Sequence, residues 1–322
     1  MRRRQLAVCD REPEYTCRFT EYANQRREPL FTVHGFTGSE ELADYARENT
    51  VDILLLSPEF LEEFRKTARP GQVICLSDQQ YLEEDPGCPV IYKFQSCDQI
   101  LRQVMDLYAQ QAPAAPMQAL RLEELKLLGI YSPVGRTGKT SFALALGKEL
   151  ARRKRTLYLN LEEYSGFQAL YPYGDGQTLS ELMYFLKQNR AAFVCKVESV
   201  VQQIGGLDYI PPLKSPVELR HISARDWESL LEALAQGTNY EVVILDLSGA
   251  VNGLFELLER CDGIYTPVNT DAAAQAKLLQ YEDTLKLLEI EEILQKTKRF
   301  RLSHEADLEA IAIEEGRRWG NT

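Results

Sequence analysis

The chain has no paired-cysteine motif. Its seven cysteines (9, 17, 75, 88, 97, 195 and 261) are odd in number and scattered, with no C-x-x-C pair. Several lie in apolar runs, as Cys75 does in Val73-Ile74-Cys75-Leu76. That usage excludes a disulfide framework or a zinc site and implies reduced, mostly buried thiols of a cytoplasmic protein. No apolar run approaches the ~18 residues of a membrane span. A surplus of positive charge is missing too. Lys and Arg number 37 against 48 Asp and Glu, for a net charge of −11. This balance argues against nucleic-acid binding through a broad basic surface and leaves room only for a local patch. The start, Met1-Arg2-Arg3-Arg4, is basic, but the short run after it soon meets Asp10 and Glu12, so it reads as a solvated terminus and not a signal peptide.

What is present begins with length. The 322 residues suffice for two domains, each with its own core. The strongest local signal is Leu127-Leu128-Gly129-Ile130-Tyr131-Ser132-Pro133-Val134-Gly135-Arg136-Thr137-Gly138-Lys139-Thr140-Ser141. An apolar strand runs into a turn-forming loop, and a helical pattern follows from Phe142 to Leu150. This is the order a phosphate-binding loop requires. Its glycines let successive backbone N–H groups of Gly135, Arg136, Thr137, Gly138, Lys139, Thr140 and Ser141 point at phosphate oxygens, and the helix N-terminus adds a favourable dipole. Lys139 is expected to reach the β- and γ-phosphates of ATP and Thr140 to ligate Mg²⁺. Pro133 stands where the usual first glycine of such a loop would be.

A second signal lies at Val242-Val243-Ile244-Leu245-Asp246-Leu247-Ser248-Gly249, a buried strand with one aspartate at its C-terminal end. Ligands of open α/β sheets bind outside the carboxyl ends of strands. Asp246 opposite the phosphate loop is therefore expected to act through Mg²⁺ or its water. Other strands are predicted at Thr156–Leu161, Leu207–Pro212 and Cys261–Asn269, and helices at Thr178–Lys187, Ala192–Val201, Asp226–Gln236 and Thr270–Leu288. Arg152-Arg153-Lys154-Arg155 reads as the solvated end of the helix after the loop. The tail from Arg299 onward offers weak periodicity and no assignable chemistry.

The N-terminal part alternates strands (5–9, 30–33, 52–56, 72–76, 90–92) with helices (14–24, 39–48, 98–109), which predicts a parallel, doubly wound sheet. The fold class expected is thus α/β, with two doubly wound domains at 1–111 and 124–322. A linker, 112–123, carries Pro113 and Pro116. Cys9-Asp10, Ser57, Ser77 and Lys93 fall after the first, third, fourth and fifth strands. In that placement the segment resembles a response-regulator receiver domain of the flavodoxin-like kind. Ser57 stands where the phospho-accepting aspartate would be, so the resemblance implies a docking or dimerisation module and not a phosphorylation switch. Asp10, Ser77 and Lys93 are expected to hydrogen-bond one another.

The C-terminal part resembles the ParA/MinD group of P-loop ATPases, the deviant Walker A class. The likeness rests on the phosphate loop, the strand ending Asn160-Leu161-Glu162, the Leu245-Asp246 strand, and Cys261-Asp262 through Pro267-Val268. A receiver-like domain fused ahead of such an ATPase is similar to the TadZ/CpaE proteins. That resemblance implies a homodimer that localises the assembly machinery of Flp-type (Tad) pili or a secretion system, in the cytoplasm, peripheral to the membrane or at a cell pole. In ParA/MinD proteins the loop carries a second lysine that reaches the partner's nucleotide; Val134 stands there. Asn160 and Glu162 stand around the position of the water-orienting aspartate. Glu162 could position water, but its extra methylene displaces the carboxylate by about an ångström, on the order of a hundredfold in rate. The catalytic candidates are Lys139, Asp246 and Glu162, and the expectation is ATP binding with slow or absent hydrolysis. Two other readings stay open: an active DNA-partitioning or cell-positioning ATPase, and a scaffold that no longer binds nucleotide.

Overall fold

The computed structural model describes residues 4–25, 31–67, 71–79, 87–111, 125–173, 177–302 and 304–321. The 112–123 segment expected to be a linker lies outside the described residues. The chain divides into two compact units, Met1–Pro113 and Ala114–Thr322.

The first unit runs β1 (Arg4–Cys9), α1 (Pro13–Gln25), β2 (Phe31–Phe36), α2 (Ser39–Glu48), β3 (Ile53–Leu56), α3 (Pro58–Thr67), β4 (Gln72–Ser77), β5 (Val90–Tyr92) and α4 (Cys97–Gln111). Its five strands are parallel in the order β2-β1-β3-β4-β5. The central strands are apolar on both faces because helices cover both. Leu6 and Val8 meet Phe19, Val104 and Met105 on one side, and Ala7, Leu54 and Leu56 meet Leu42, Phe60 and Phe64 on the other. Helix α3, absent from the sequence reading, starts with Pro58 at its first turn, where a missing N–H is harmless.

The second unit runs β6 (Lys126–Ile130), α5 (Lys139–Ala151), β7 (Thr156–Leu161), α6 (Phe167–Leu170), α7 (Leu179–Gln188), α8 (Phe193–Val200), β8 (Gln202–Ile204), β9 (Leu207–Ile210), α9 (Pro216–His221), α10 (Ala224–Gly237), β10 (Val242–Leu247), α11 (Leu254–Arg260), β11 (Gly263–Pro267), α12 (Ala272–Leu287), α13 (Glu292–Gln295), β12 (Thr297–Phe300) and α14 (Glu305–Gly320). The seven strands lie in the order β12-β11-β6-β10-β7-β9-β8, parallel but for β8, which folds back on β9. Gly205 and Gly206, at φ 58° and 87°, make that turn. β6 and β10 are neighbours with Ile130 opposite Asp246, and β10 and β7 are neighbours with Asp246 opposite Asn160. The ends of these three strands therefore converge.

The structure fills in the tail, where the sequence shows only weak periodicity, and corrects the reading of the basic run. The tail from Arg299 is part of the core: β12 completes one sheet edge, and α14 packs against α5 and the sheet. A Cβ on Gly316 would lie 2.5 Å from Glu149 Cγ, so the two helices meet at near-backbone distance. On the inner side of α14, Glu315 (1% exposed) accepts hydrogen bonds from Tyr265 Oη and Lys298 Nζ, both at 2.5 Å. Trp319 Nε1 donates to the same Tyr265 oxygen at 2.7 Å. A charged residue with those partners breaks the apolar period, which is why the helix was not legible. The basic run is likewise not wholly solvated. Arg155 turns inward to Glu198 at 2.5 Å and stacks over Tyr240, 4.7 Å from the ring centre.

Candidate functional site

The sequence places a candidate phosphate loop between β6 and α5. Gly138 adopts φ 85° and precedes α5 with no side-chain cap, so the N–H groups ahead of Phe142 have neither an intrahelical nor a capping partner among the described residues. A Cβ on Gly138 would meet Leu302 Cδ1 at 2.8 Å, and the positive φ disfavours a side chain independently. Arg136 also holds a left-handed conformation, φ 58°, unusual for a residue with a Cβ. Around Gly135 no atom lies within 4 Å of where a Cβ would be, leaving open space beside the loop. The Thr137 hydroxyl is buried with no hydrogen-bond partner among the described residues. Val134 is packed inward at 8% exposure, and Ser132 Oγ accepts its N–H at 3.3 Å.

Lys139, the first residue of α5, crosses to the ends of β7 and β10. Its Nζ lies 2.5 Å from Glu162 Oε1, donates to the Leu247 carbonyl at 2.9 Å, and sits 5.9 Å from the centre of the Tyr131 ring. Glu162, one residue beyond β7, is thus gathered into the site as a counter-ion to Lys139, and its carboxylate does not stand free.

Asp246 is fully buried. One oxygen, Oδ2, accepts from Tyr158 Oη at 2.9 Å; that hydroxyl accepts in turn from Asn160 Nδ2 at 2.8 Å, and Asn160 Oδ1 accepts the Glu162 N–H at 3.0 Å. The other oxygen, Oδ1, has no hydrogen-bond partner among the described residues. Burial pushes the carboxyl up to about 6; the Thr140 hydroxyl beside it, Lys139 and Tyr158 pull it down, while Glu162 pushes it further up. The Thr140 hydroxyl, in the first turn of α5, stands beside this carboxyl. Asn160 is not a surface residue waiting for water. It is 2% exposed and forms the back of the Asp246 network. Tyr158 escaped the sequence reading because, in a buried strand, it is indistinguishable from a core aromatic.

In the first unit the four marked positions converge differently from expectation. Asp10 Oδ2 takes the Ser57 hydroxyl at 2.7 Å and Lys93 Nζ at 2.8 Å, while Asp10 Oδ1 takes the Glu12 N–H at 2.9 Å. Lys93 also pairs with Glu12 at 3.0 Å and lies 4.4 Å from the centre of the Tyr15 ring. Burial works to raise the Asp10 carboxyl, but Lys93, the Glu12 N–H and Ser57 outweigh it and hold it below the usual range. Ser77, expected to join, instead accepts the Gln79 N–H at 3.0 Å. Ser57 fills that place. It offers a hydroxyl where phosphotransfer to a receiver needs a carboxylate.

The class follows from these two arrangements. The chain joins a parallel five-stranded α/β unit, whose Asp10 is tied to Ser57 and Lys93, to a seven-stranded α/β unit in which Lys139 and Asp246 meet at the strand ends. Residues 1–109 match the family model "TadZ-like, receiver domain". No curated protein matches the chain. Solved structures with similarity to it include cobyrinic acid a,c-diamide synthase from Mycobacterium smegmatis with a bound ATP analogue and magnesium (17% identity over 59% of this chain and 82% of that one, TM-score 0.41). Others are apo McdA of Cyanthece (18% identity, 62% and 82%, TM-score 0.42) and the septum site-determining protein MinD with Mg-ADP from Pyrococcus horikoshii (14% identity, 61% and 86%, TM-score 0.40).

Proposed function

We propose that the second unit holds ATP with Mg²⁺, cleaves it slowly or not at all, and uses the bound nucleotide as an assembly ligand. The observation that carries this reading is the fully buried Asp246 carboxylate, whose Oδ1 has no hydrogen-bond partner among the described residues, beside Thr140 in the first turn of α5. A buried acceptor left unpaired costs about 1–3 kcal/mol unless something fills its place. A hydrated divalent cation does so. No group of three or more His, Cys, Asp or Glu able to hold a metal exists among the described residues. The ion would therefore arrive with the nucleotide, held by Thr140, by Asp246 directly or through water, and by phosphate oxygens. The backbone of Gly135 to Ser141 would wrap the phosphates and Lys139 would neutralise the terminal ones. Mg²⁺ supplies charge neutralisation between those phosphates.

The cleavage apparatus is weak in the same terms. Val134 offers no donor, Asn160 is consumed in the Asp246 network, and Glu162 must leave Lys139 before it can orient water. Joined to a TadZ-like receiver domain, such a unit fits a homodimeric protein that localises or scaffolds a Flp/Tad-type pilus or secretion machinery. Among the described residues no helix is long and apolar enough to cross a membrane, so attachment there would run through protein partners or surface contacts. The inward turn of Arg155 removes one of the four charges that a DNA-partitioning role would draw on.

Calorimetric titration of the full chain with ATP and Mg²⁺ tests the reading. Binding is expected, lost in Lys139→Ala, with turnover near background. Absence of binding would leave the nucleotide-free scaffold. Sustained turnover abolished by Lys139→Ala would overturn slow hydrolysis.

A further inference from the structure

Building on that nucleotide-binding reading, we propose that Glu162 is an internal competitor for phosphate, a carboxylate that occupies Lys139 until nucleotide displaces it. The pair is close, 2.5 Å, and both side chains are largely shielded, at 11% and 23% exposure. With the Leu247 carbonyl at 2.9 Å, two of the three ammonium hydrogens are committed inside the protein. The lysine is therefore drawn toward the ends of β7 and β10. Phosphate and carboxylate compete for the same ammonium, and in a site of low effective dielectric the two anions repel too strongly to share it.

The exchange is built to be local. The Glu162 N–H is anchored on Asn160 Oδ1, which is tied through Tyr158 to Asp246, so the backbone at the end of β7 stays in place. Glu163, next along, is ion-paired to Arg220 of α9. What is released is the Glu162 side chain, at the head of a turn that carries Tyr164, 80% exposed. The exchange therefore requires no movement of the sheet.

The test is nucleotide affinity of the full chain, with ATP and with ADP in the presence of Mg²⁺, for the wild type, Glu162→Gln and Glu162→Ala, with circular dichroism to establish that each is folded. Removal of the competitor is expected to tighten both nucleotides about tenfold, the scale of one charge-assisted hydrogen bond. Glu163→Gln, which removes the neighbouring negative charge that pairs with Arg220 and not with Lys139, is expected to give no gain, which separates competition for the lysine from general relief of negative charge. Binding by Glu162→Gln but not by the wild type would also support the clasp. Wild-type binding with equal or weaker affinity in both Glu162 variants would overturn it while leaving nucleotide binding intact. Failure of all three proteins to bind would overturn the nucleotide reading itself, and the clasp with it.

Discussion

Replacing Tyr158 by Phe removes one oxygen from the centre of the second unit and nothing else. The ring is fully buried, packs 5.8 Å from Phe167 between centroids, and keeps its shape in the variant, so no cavity forms. What is lost is a hydroxyl that donates to Asp246 at 2.9 Å and accepts from Asn160 at 2.8 Å. A hydrogen bond to a charged group is worth about 1.5–3 kcal/mol, and an Asn160 amide hydrogen left unpaired adds about 1. The expected loss is about 2–4 kcal/mol, a large share of the 5–15 kcal/mol typical of a domain. Both tryptophans, Trp227 and Trp319, lie in the second unit, so their fluorescence in a urea titration follows that unit alone. The midpoint should fall with the slope unchanged. Adding Asp246→Asn removes the charge that the hydroxyl serves, so the double variant should lose less than the sum of the two, by about 1 kcal/mol or more. A loss below about 0.5 kcal/mol, or strict additivity, would refute the view that the chain from Glu162 to Asp246 is a coupled network.

In the first unit, Lys93→Met leaves Asp10 buried at 3% exposure without its counter-charge and should destabilise that unit by about 3–5 kcal/mol, read as an earlier far-ultraviolet transition unseen by tryptophan fluorescence. Asp10 carries a lowered folded-state pKa, so its contribution is fully present above the unfolded value near ~3.9 and is lost as pH falls through the folded one. Asp10→Asn should therefore flatten the acid limb of the stability curve of that unit below about pH 4. Incubation with a small-molecule phosphodonor and Mg²⁺ should leave the chain unmodified by mass spectrometry; a phosphate on Ser57 would overturn the reading of this unit as something other than a phosphorylation switch.

Much of this was legible because it is local. Alternating apolar strands and amphipathic helices gave both α/β units, since each element's period is written within its own few residues. The glycine-bearing turn before α5 and the aspartate near the end of β10 were legible for the same reason: a backbone that must curl selects glycine, and a charge at a strand end interrupts an apolar run. The parts that were missed depend on residues far apart in sequence. Tyr158 matters only because β10 lies beside β7, 88 positions on. Glu315 makes sense only against Tyr265, Lys298 and Trp319. Ser57 displaced Ser77 as the partner of Asp10 because its hydroxyl, directly after β3, lies across from the end of β1. Glu162, read as a candidate for water, was already engaged by Lys139, and no spacing rule records an ion pair between a helix start and the exit of another strand.

The close seat of α14 has a directional consequence. Glycine contacts bring it to Glu149 of α5 at Gly316, and Trp319 to β11 at Gly263, where a Cβ would stand 2.5 Å and 2.6 Å from the neighbouring side chains. The helix that begins at the phosphate loop is consequently braced along its far half, and Leu302 bears on the loop at Gly138. A ligand pressing on that loop meets a stiff wall on the α14 side and a single releasable ion pair on the β7 side. The side of the loop left free to respond to a ligand is then the one that faces Glu162.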